Sequence, residues 1–230
     1  MKPASSTPTP DLQPRRTEIR LKFGFRYLLS RPTGYLKTSR RKWPLLVFFH
    51  GRGERGTDLD QLKRHGLPRL LAEGKTLPFV VVAPQCTEDV YWWNYPALDA
   101  FVDDMIKRYR IDATRVYLTG NSMGGFATWA LAQYKPERYA AIAPICGGGD
   151  VRLAANLHDL PIWAFHGTKD EVIPASRTTE MIAAIRAAGG SPKLTLYRGV
   201  NHDSWTRTYG NPALYTWLLS HRRKRRTAKK

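Results

Sequence analysis

The chain predicts an α/β fold, a mostly parallel sheet flanked by helices on both faces. Apolar runs of strand length alternate with segments of helical period along most of the sequence. Several of those runs are apolar throughout, which suits strands buried on two faces rather than one. One of them, Val116 to Thr119, stops at Gly120-Asn121-Ser122-Met123-Gly124, a turn that carries a strand directly into a helix. At 230 residues the chain fits one domain that buries about 70% of its unfolded surface.

The elements follow in order. Residues 1–16 are rich in Pro, Ser and Thr and read as a disordered arm, leaving 17–221 as the folded domain. Glu18 to Leu29 alternates Ile19, Leu21, Phe23, Phe25 and Tyr27, the period of a half-buried strand. Pro44 to His50 is a buried strand, Asp58 to Glu73 a helix broken at Pro68, and Phe79 to Pro84 a second buried strand. Pro96 to Tyr109 sets Leu98, Phe101, Val102, Met105 and Ile106 on one helical face, with Pro96 in the first turn. Phe126 to Tyr134 is the helix after the turn. Strands at Tyr139–Cys146 and Pro161–His166, a helix over Ala175–Ala188 ended by Gly189-Gly190, a strand at Lys193–Arg198 and a closing helix over Tyr209–Leu219 complete the alternation.

Bulk properties narrow the function. A chain 42% hydrophobic and 24% charged, with no apolar run of about 20 residues, predicts a water-soluble protein, and no secretory leader is legible, so a cytoplasmic location is expected. Cys86 and Cys146 end different apolar runs and read as buried free thiols. Neither has a second ligand at metal spacing, so no metal site and no cofactor is predicted. The formal net charge is +18, and Arg222, Arg223, Lys224, Arg225, Arg226, Lys229 and Lys230 concentrate part of it in a basic tail, 222–230, read as disordered. Such a tail could hold nucleic acid or an anionic membrane, which makes a polyanion-binding protein the rival reading from another class.

The candidate chemistry is nucleophilic. Ser122 at the strained turn needs a base within reach, and an acid to hold that base in one tautomer. His202, on the loop after the last strand, is the base. Asp170, three residues beyond His166-Gly167 at a strand end, is the acid, with Asp150 as its competitor. Oxyanion donors are assigned to the backbone N–H of Met123 and of Arg52, the latter in the glycine-rich turn His50 to Gly56. Ion pairs among Arg52, Glu54 and Arg55 would shape that turn. Gly51, Trp92, Trp93 and Trp205 are the candidate substrate-binding residues, because two adjacent Trp residues cannot both face one core.

Four motifs carry a resemblance: His50-Gly51-x-Gly53-Glu54-Arg55-Gly56, Gly120-Asn121-Ser122-Met123-Gly124-Gly125, His166-Gly167-x-x-Asp170 and Gly199-x-x-His202-Asp203-Ser204-Trp205. Together they resemble the α/β-hydrolase superfamily over roughly residues 18–220, in particular compact phospholipase/carboxylesterase-like proteins, predicted peptidases and dienelactone-hydrolase-like serine esterases. The resemblance implies a Ser-Asp-His triad in that chain order and a small-molecule or polymer-linked ester as substrate. A prolyl-oligopeptidase-like peptidase or amidase is the alternative. Dienelactone hydrolases use a cysteine nucleophile, and serine at 122 argues against that activity. Lids in this fold sit between the strands at Tyr139–Cys146 and Pro161–His166. Here the interval is about fourteen residues, so no cap domain and an open cleft are expected.

Overall fold

The computed structural model describes residues 24–36, 40–89 and 92–223. Seven strands form one sheet: β1 (Tyr27–Ser30), β2 (Trp43–Phe49), β3 (Val80–Pro84), β4 (Ile111–Asn121), β5 (Ala141–Ile145), β6 (Trp163–Gly167) and β7 (Lys193–Tyr197). Their order is β1-β3-β2-β4-β5-β6-β7, with β1 antiparallel to β3 and every other pair parallel. Among the described residues six α-helices accompany them: α1 (Gly66–Ala72), α2 (Tyr95–Arg108), α3 (Met123–Tyr134) and α4 (Ser176–Ala187) between strands, and α5 (Trp205–Gly210) and α6 (Pro212–Ser220) after β7.

Both faces of the sheet are covered, and β2 shows why its sequence is apolar throughout. Leu45, Val47 and Phe49 enter a core shared with α2, α3 and α4, while Leu46 and Phe48 enter a second core with residues of α1, α5 and α6. The register aligns Phe49 with Gly120 and Asn121 with Ile145. Parallel pairing thus brings the carboxyl ends of β2, β4 and β5 to one rim, where this architecture gathers reactive groups. The ends of β6 and β7 pair likewise, Gly167 with Tyr197.

Four expectations are corrected. Of the strand expected over Glu18–Leu29, residues 18–23 lie outside the described part, and β1 begins only at Tyr27. The segment 58–73 does not break at Pro68. A 3-10 stretch over Leu59–Arg64 gives way to α1 at Gly66, whose φ of +61° redirects the chain, and Pro68 sits in the first turn, where its missing N–H leaves no bond unmade. The closing helix is two helices. Asn211 ends α5 and caps α6 by accepting from the Ala213 N–H at 3.0 Å, with Pro212 at its first position. Arg222 and Arg223, read as tail, are tied to β4: the Arg222 guanidinium lies 3.0 Å from Asp112 Oδ2, and the Arg223 N–H donates to Thr114 O. Residues 1–16 and 224–230 lie outside the described part.

The interval between β5 and β6 holds one short 3-10 helix, Val151–Leu157, and no cap domain. Among the described residues, no helix is long and apolar enough to cross a membrane.

Candidate active site

Asn121 ends β4 and Met123 begins α3, so Ser122 alone makes the turn, at φ +56° and ψ −120°. A residue with a Cβ is strained there, and the surrounding packing must hold it. That packing explains the flanking glycines. A Cβ on Gly124 would lie 1.9 Å from the Phe49 carbonyl oxygen, and one on Gly120 would lie 2.4 Å from that of Gly124. Neither contact is possible, so α3 crosses β2 and β4 at backbone distance only because both side chains are hydrogen.

The turn aims Ser122 at a chain of hydrogen bonds. Its Oγ lies 2.9 Å from His202 Nε2, and His202 Nδ1 lies 2.8 Å from Asp170 Oδ2. A carboxylate can only accept, so Nδ1 carries the proton and Nε2 is left to accept from the serine hydroxyl. Asp170 Oδ1 takes the N–H groups of Val172 and Ile173 at 3.0 and 2.9 Å. Burial works to raise the Asp170 pKa. The donors from Ile173, His202 and Val172 outweigh it and hold the carboxyl below the usual carboxylate range.

Asp170 has a further neighbour, a histidine at the end of β6. His166, fully buried, points Nε2 at Ile173 O (2.9 Å) and at Asp170 Oδ2 (3.1 Å). Both are obligate acceptors, so Nε2 carries the proton and donates into the carboxylate that also holds His202. With the proton on Nε2, His166 Nδ1 lies 2.7 Å from Thr178 Oγ1 as an acceptor, and Gly147 O, 2.6 Å from the same hydroxyl, competes with it for that single proton. Burial, working against the bond to Ile173 and the nearby carboxylate, lowers the pKa of the ring. The i, i+4 spacing of His166 and Asp170 was the available signal.

On the opposite wall, the turn after β2 forms a 3-10 helix, Arg52–Glu54, that begins beside the nucleophile: a Cβ on Gly51 would lie 3.7 Å from that of Ser122. His50 anchors it by accepting the Cys86 N–H at Nε2 (2.9 Å) and donating from Nδ1 to Gly51 O (2.5 Å). Burial pushes its pKa down to about 4, so the ring is neutral. Glu54 was expected to pair with arginines. Its buried carboxylate instead lies 3.8 Å from His50 and 3.9 Å from His65, and burial raises its pKa. Met123, the first residue of α3, has a backbone N–H without an intrahelical acceptor, as every helix start does.

The three tryptophans differ. Trp92 is exposed and Trp205 meets His202 edge-on at 5.2 Å, shielding one side of the imidazole. Trp93 corrects the expectation that it binds substrate: it is 3% exposed and packs edge-on against Phe49 and His50, a core residue that fixes the turn after β2. Asp150 caps the 3-10 helix after β5 through the Arg152 N–H and pairs with the Arg152 guanidinium, away from the triad. Cys86 and Cys146 are both buried and unbridged. Cys146 Sγ, Asp170 and His202 are the one group of three potential metal donors among the described residues. Two of them are bonded to each other and burial pushes the thiol up to about 12, a poor donor set for a cation.

Comparison with known proteins gives a consistent picture. Residues 92–213 match the model of the dienelactone hydrolase family. The chain is 31% identical over 186 residues to the bifunctional acetylxylan esterase/xylanase XynS20E of Neocallimastix patriciarum, covering 76% of this chain and 26% of that one. It is 31% identical over 121 residues to poly(3-hydroxyalkanoate) depolymerase C of Paucimonas lemoignei, covering 46% of this chain and 28% of that one. The chain therefore spans little more than a quarter of either relative. Among solved structures, a thermostable esterase superposes with a TM-score of 0.73 at 32% identity, covering 86% of this chain and 59% of its own.

Proposed function

The chain belongs to the dienelactone hydrolase family, and from that premise we propose that it is a serine carboxylester hydrolase working by acyl transfer, its catalytic unit being residues 17–221. The observation that carries this reading is the unbroken chain Ser122 Oγ to His202 Nε2 to Asp170 Oδ2, at 2.9 and 2.8 Å, on a strained strand-to-helix turn. A serine stands where dienelactone hydrolases use a cysteine, which favours ordinary esters over dienelactones.

The mechanism follows from these positions. His202 Nε2 takes the hydroxyl proton as Ser122 Oγ attacks the ester carbonyl carbon. Asp170, ionised and held by two backbone N–H groups, keeps the imidazole oriented and stabilises its cation. The backbone N–H groups of Met123 and Arg52 receive the developing oxyanion, each worth about 3 kcal/mol of barrier. The imidazolium then protonates the departing alkoxide, an acyl-serine remains, and a water activated by His202 releases the acid.

Without a cap the cleft lies open, which suits short acyl groups or esters projecting from a polymer. Ser122→Ala is expected to keep the fold by circular dichroism, to abolish fluorophosphonate labelling, and to lower kcat/KM for 4-nitrophenyl acetate by about 10⁴-fold or more. Retained hydrolysis in that variant, or preference of the wild type for acyl chains of about twelve carbons, would contradict the reading.

A further inference from the structure

The exposed apolar residues of this charged chain are not scattered. Of the seven large hydrophobic residues exposed among those described, Trp92 (37%), Tyr134 (48%), Val151 (45%) and Leu153 (44%) all line one open cavity of about 630 Å³. Exposed single apolar residues need no explanation, but a cluster lining a concavity of small-ligand size does. The cavity runs along α3 from Phe126 to Tyr134. Phe126 lies one helical turn beyond Ser122 and donates its N–H to the Ser122 carbonyl, so one end of the cavity is a helical turn from the nucleophile, although no triad residue lines it.

Its walls are braced rather than loose. The Trp92 indole N–H donates to Tyr95 Oη at 2.7 Å, and its ring meets Phe126 edge-on at 5.7 Å, which fixes one aromatic surface. Gln133 clamps the backbone of Asp150 from both sides, donating to its carbonyl at 2.6 Å and accepting its N–H at 3.2 Å. Aromatic surface held in place costs little ordering entropy when a ligand stacks on it.

The polar groups decide the class of ligand. Arg177 and Glu180, exposed on α4, border the same cavity and present a forked donor and an acceptor about one turn apart. An alkyl chain would leave both unused and would lie half in water. A ring with one apolar C–H face and a rim of hydroxyl groups would use aromatic and charged walls together. We propose that this cavity binds pyranose residues of a carbohydrate whose ester is presented to Ser122, so that the alcohol side of the substrate is a polysaccharide. The proposal rests on the ester-hydrolase reading and deepens it.

Arg177→Ala and Tyr134→Ala test it, since neither residue touches the reacting atoms. With an O-acetylated xylo-oligosaccharide, each is expected to raise KM about tenfold, while kcat/KM for 4-nitrophenyl acetate stays within about twofold of wild type. Calorimetric titration of the same oligosaccharide into Ser122→Ala protein, with and without Arg177→Ala, reads binding without turnover and is expected to show the same loss. If wild type fails on 4-nitrophenyl acetate but the titration shows the Arg177-dependent binding, the esterase reading falls and the sugar site stands. Unchanged KM and unchanged binding in both variants would overturn the sugar site. So would a loss confined to methyl ferulate, which would make the cavity an aryl pocket.

Discussion

The two sides of the nucleophile are built on opposite terms. On the acid side, Asp170 and His166 have side chains with no exposed surface, and every oxygen of the carboxylate accepts at least one bond. On the substrate side, Trp92, Tyr134, Val151 and Leu153 stand in solvent, and Arg177 and Glu180 face outward. Proton transfer demands fixed geometry, because a misplaced base loses the near-attack arrangement. Binding a large substrate demands surface that water can leave. Changes on the first side should therefore alter turnover for every ester, and changes on the second only for substrates long enough to reach it.

The largest test of that division is His166. His166→Leu removes one of the donors to Asp170 Oδ2 without touching Ser122 or His202. A lost hydrogen bond to a buried charge corresponds to about 1.5–3 kcal/mol, so kcat should fall about tenfold or more with KM unchanged. With one donor fewer, the carboxylate attracts the His202 cation more strongly, and the acid limb of kcat/KM moves to higher pH. His166→Gln, which keeps an N–H donor, should recover part of both effects. A purely structural role for His166 would lower the melting temperature and leave the acid limb where it was.

A smaller effect belongs to His50, buried under the turn after β2 and as fixed as the acid side. In the unfolded chain its imidazole takes a proton near pH 6.5, whereas in the fold burial delays this to about pH 4. Between those values the unfolded state holds more protons, so acidification from 6.5 to 4 removes stability, by about 3 kcal/mol. Glu54, with its pKa raised by burial, acts in the opposite sense over an overlapping range. The comparison must therefore be made between wild type and His50→Gln. Urea unfolding at pH 7 and pH 4.5 should show a smaller loss in the variant, and parallel losses would remove His50 from the account.

The same division separates what the sequence could tell from what it could not. The strand ahead of Ser122 and the small residues around it are local signals, and the order of Ser122, Asp170 and His202 along the chain pointed to three strand ends that meet. The buried strands were legible for the same reason, since apolar residues on both faces leave no alternative period. Trp93 was misread because which of two neighbouring indoles turns inward depends on how its loop approaches Phe49 and His50, about forty residues earlier. The cavity along α3 was invisible, since Tyr134 and Arg177 are ordinary helix-surface residues until the loop at 148–153 folds between them. The split between α5 and α6 was legible in principle, as Asn211-Pro212 is a helix-start signal inside a continuous apolar period.

The smallest predicted effect concerns Asp150, which borders the cavity on the open side and was the alternative to Asp170 as the acid. Its carboxylate accepts from the Arg152 N–H at 3.0 Å and pairs with the exposed Arg152 guanidinium, which lowers its pKa to about 2. The backbone of Asp150, rather than its side chain, is what Gln133 holds. Asp150→Asn keeps an oxygen to cap Arg152 and changes only a solvated charge. Activity on 4-nitrophenyl acetate should therefore stay within about twofold of wild type, against a loss of about 10³-fold or more for the same change at Asp170, where the amide can present the wrong hydrogen-bonding group to His202. If the two variants lose activity equally, the acid is not confined to the buried side, and the contrast between a fixed and an open half of the site fails where it is most easily measured.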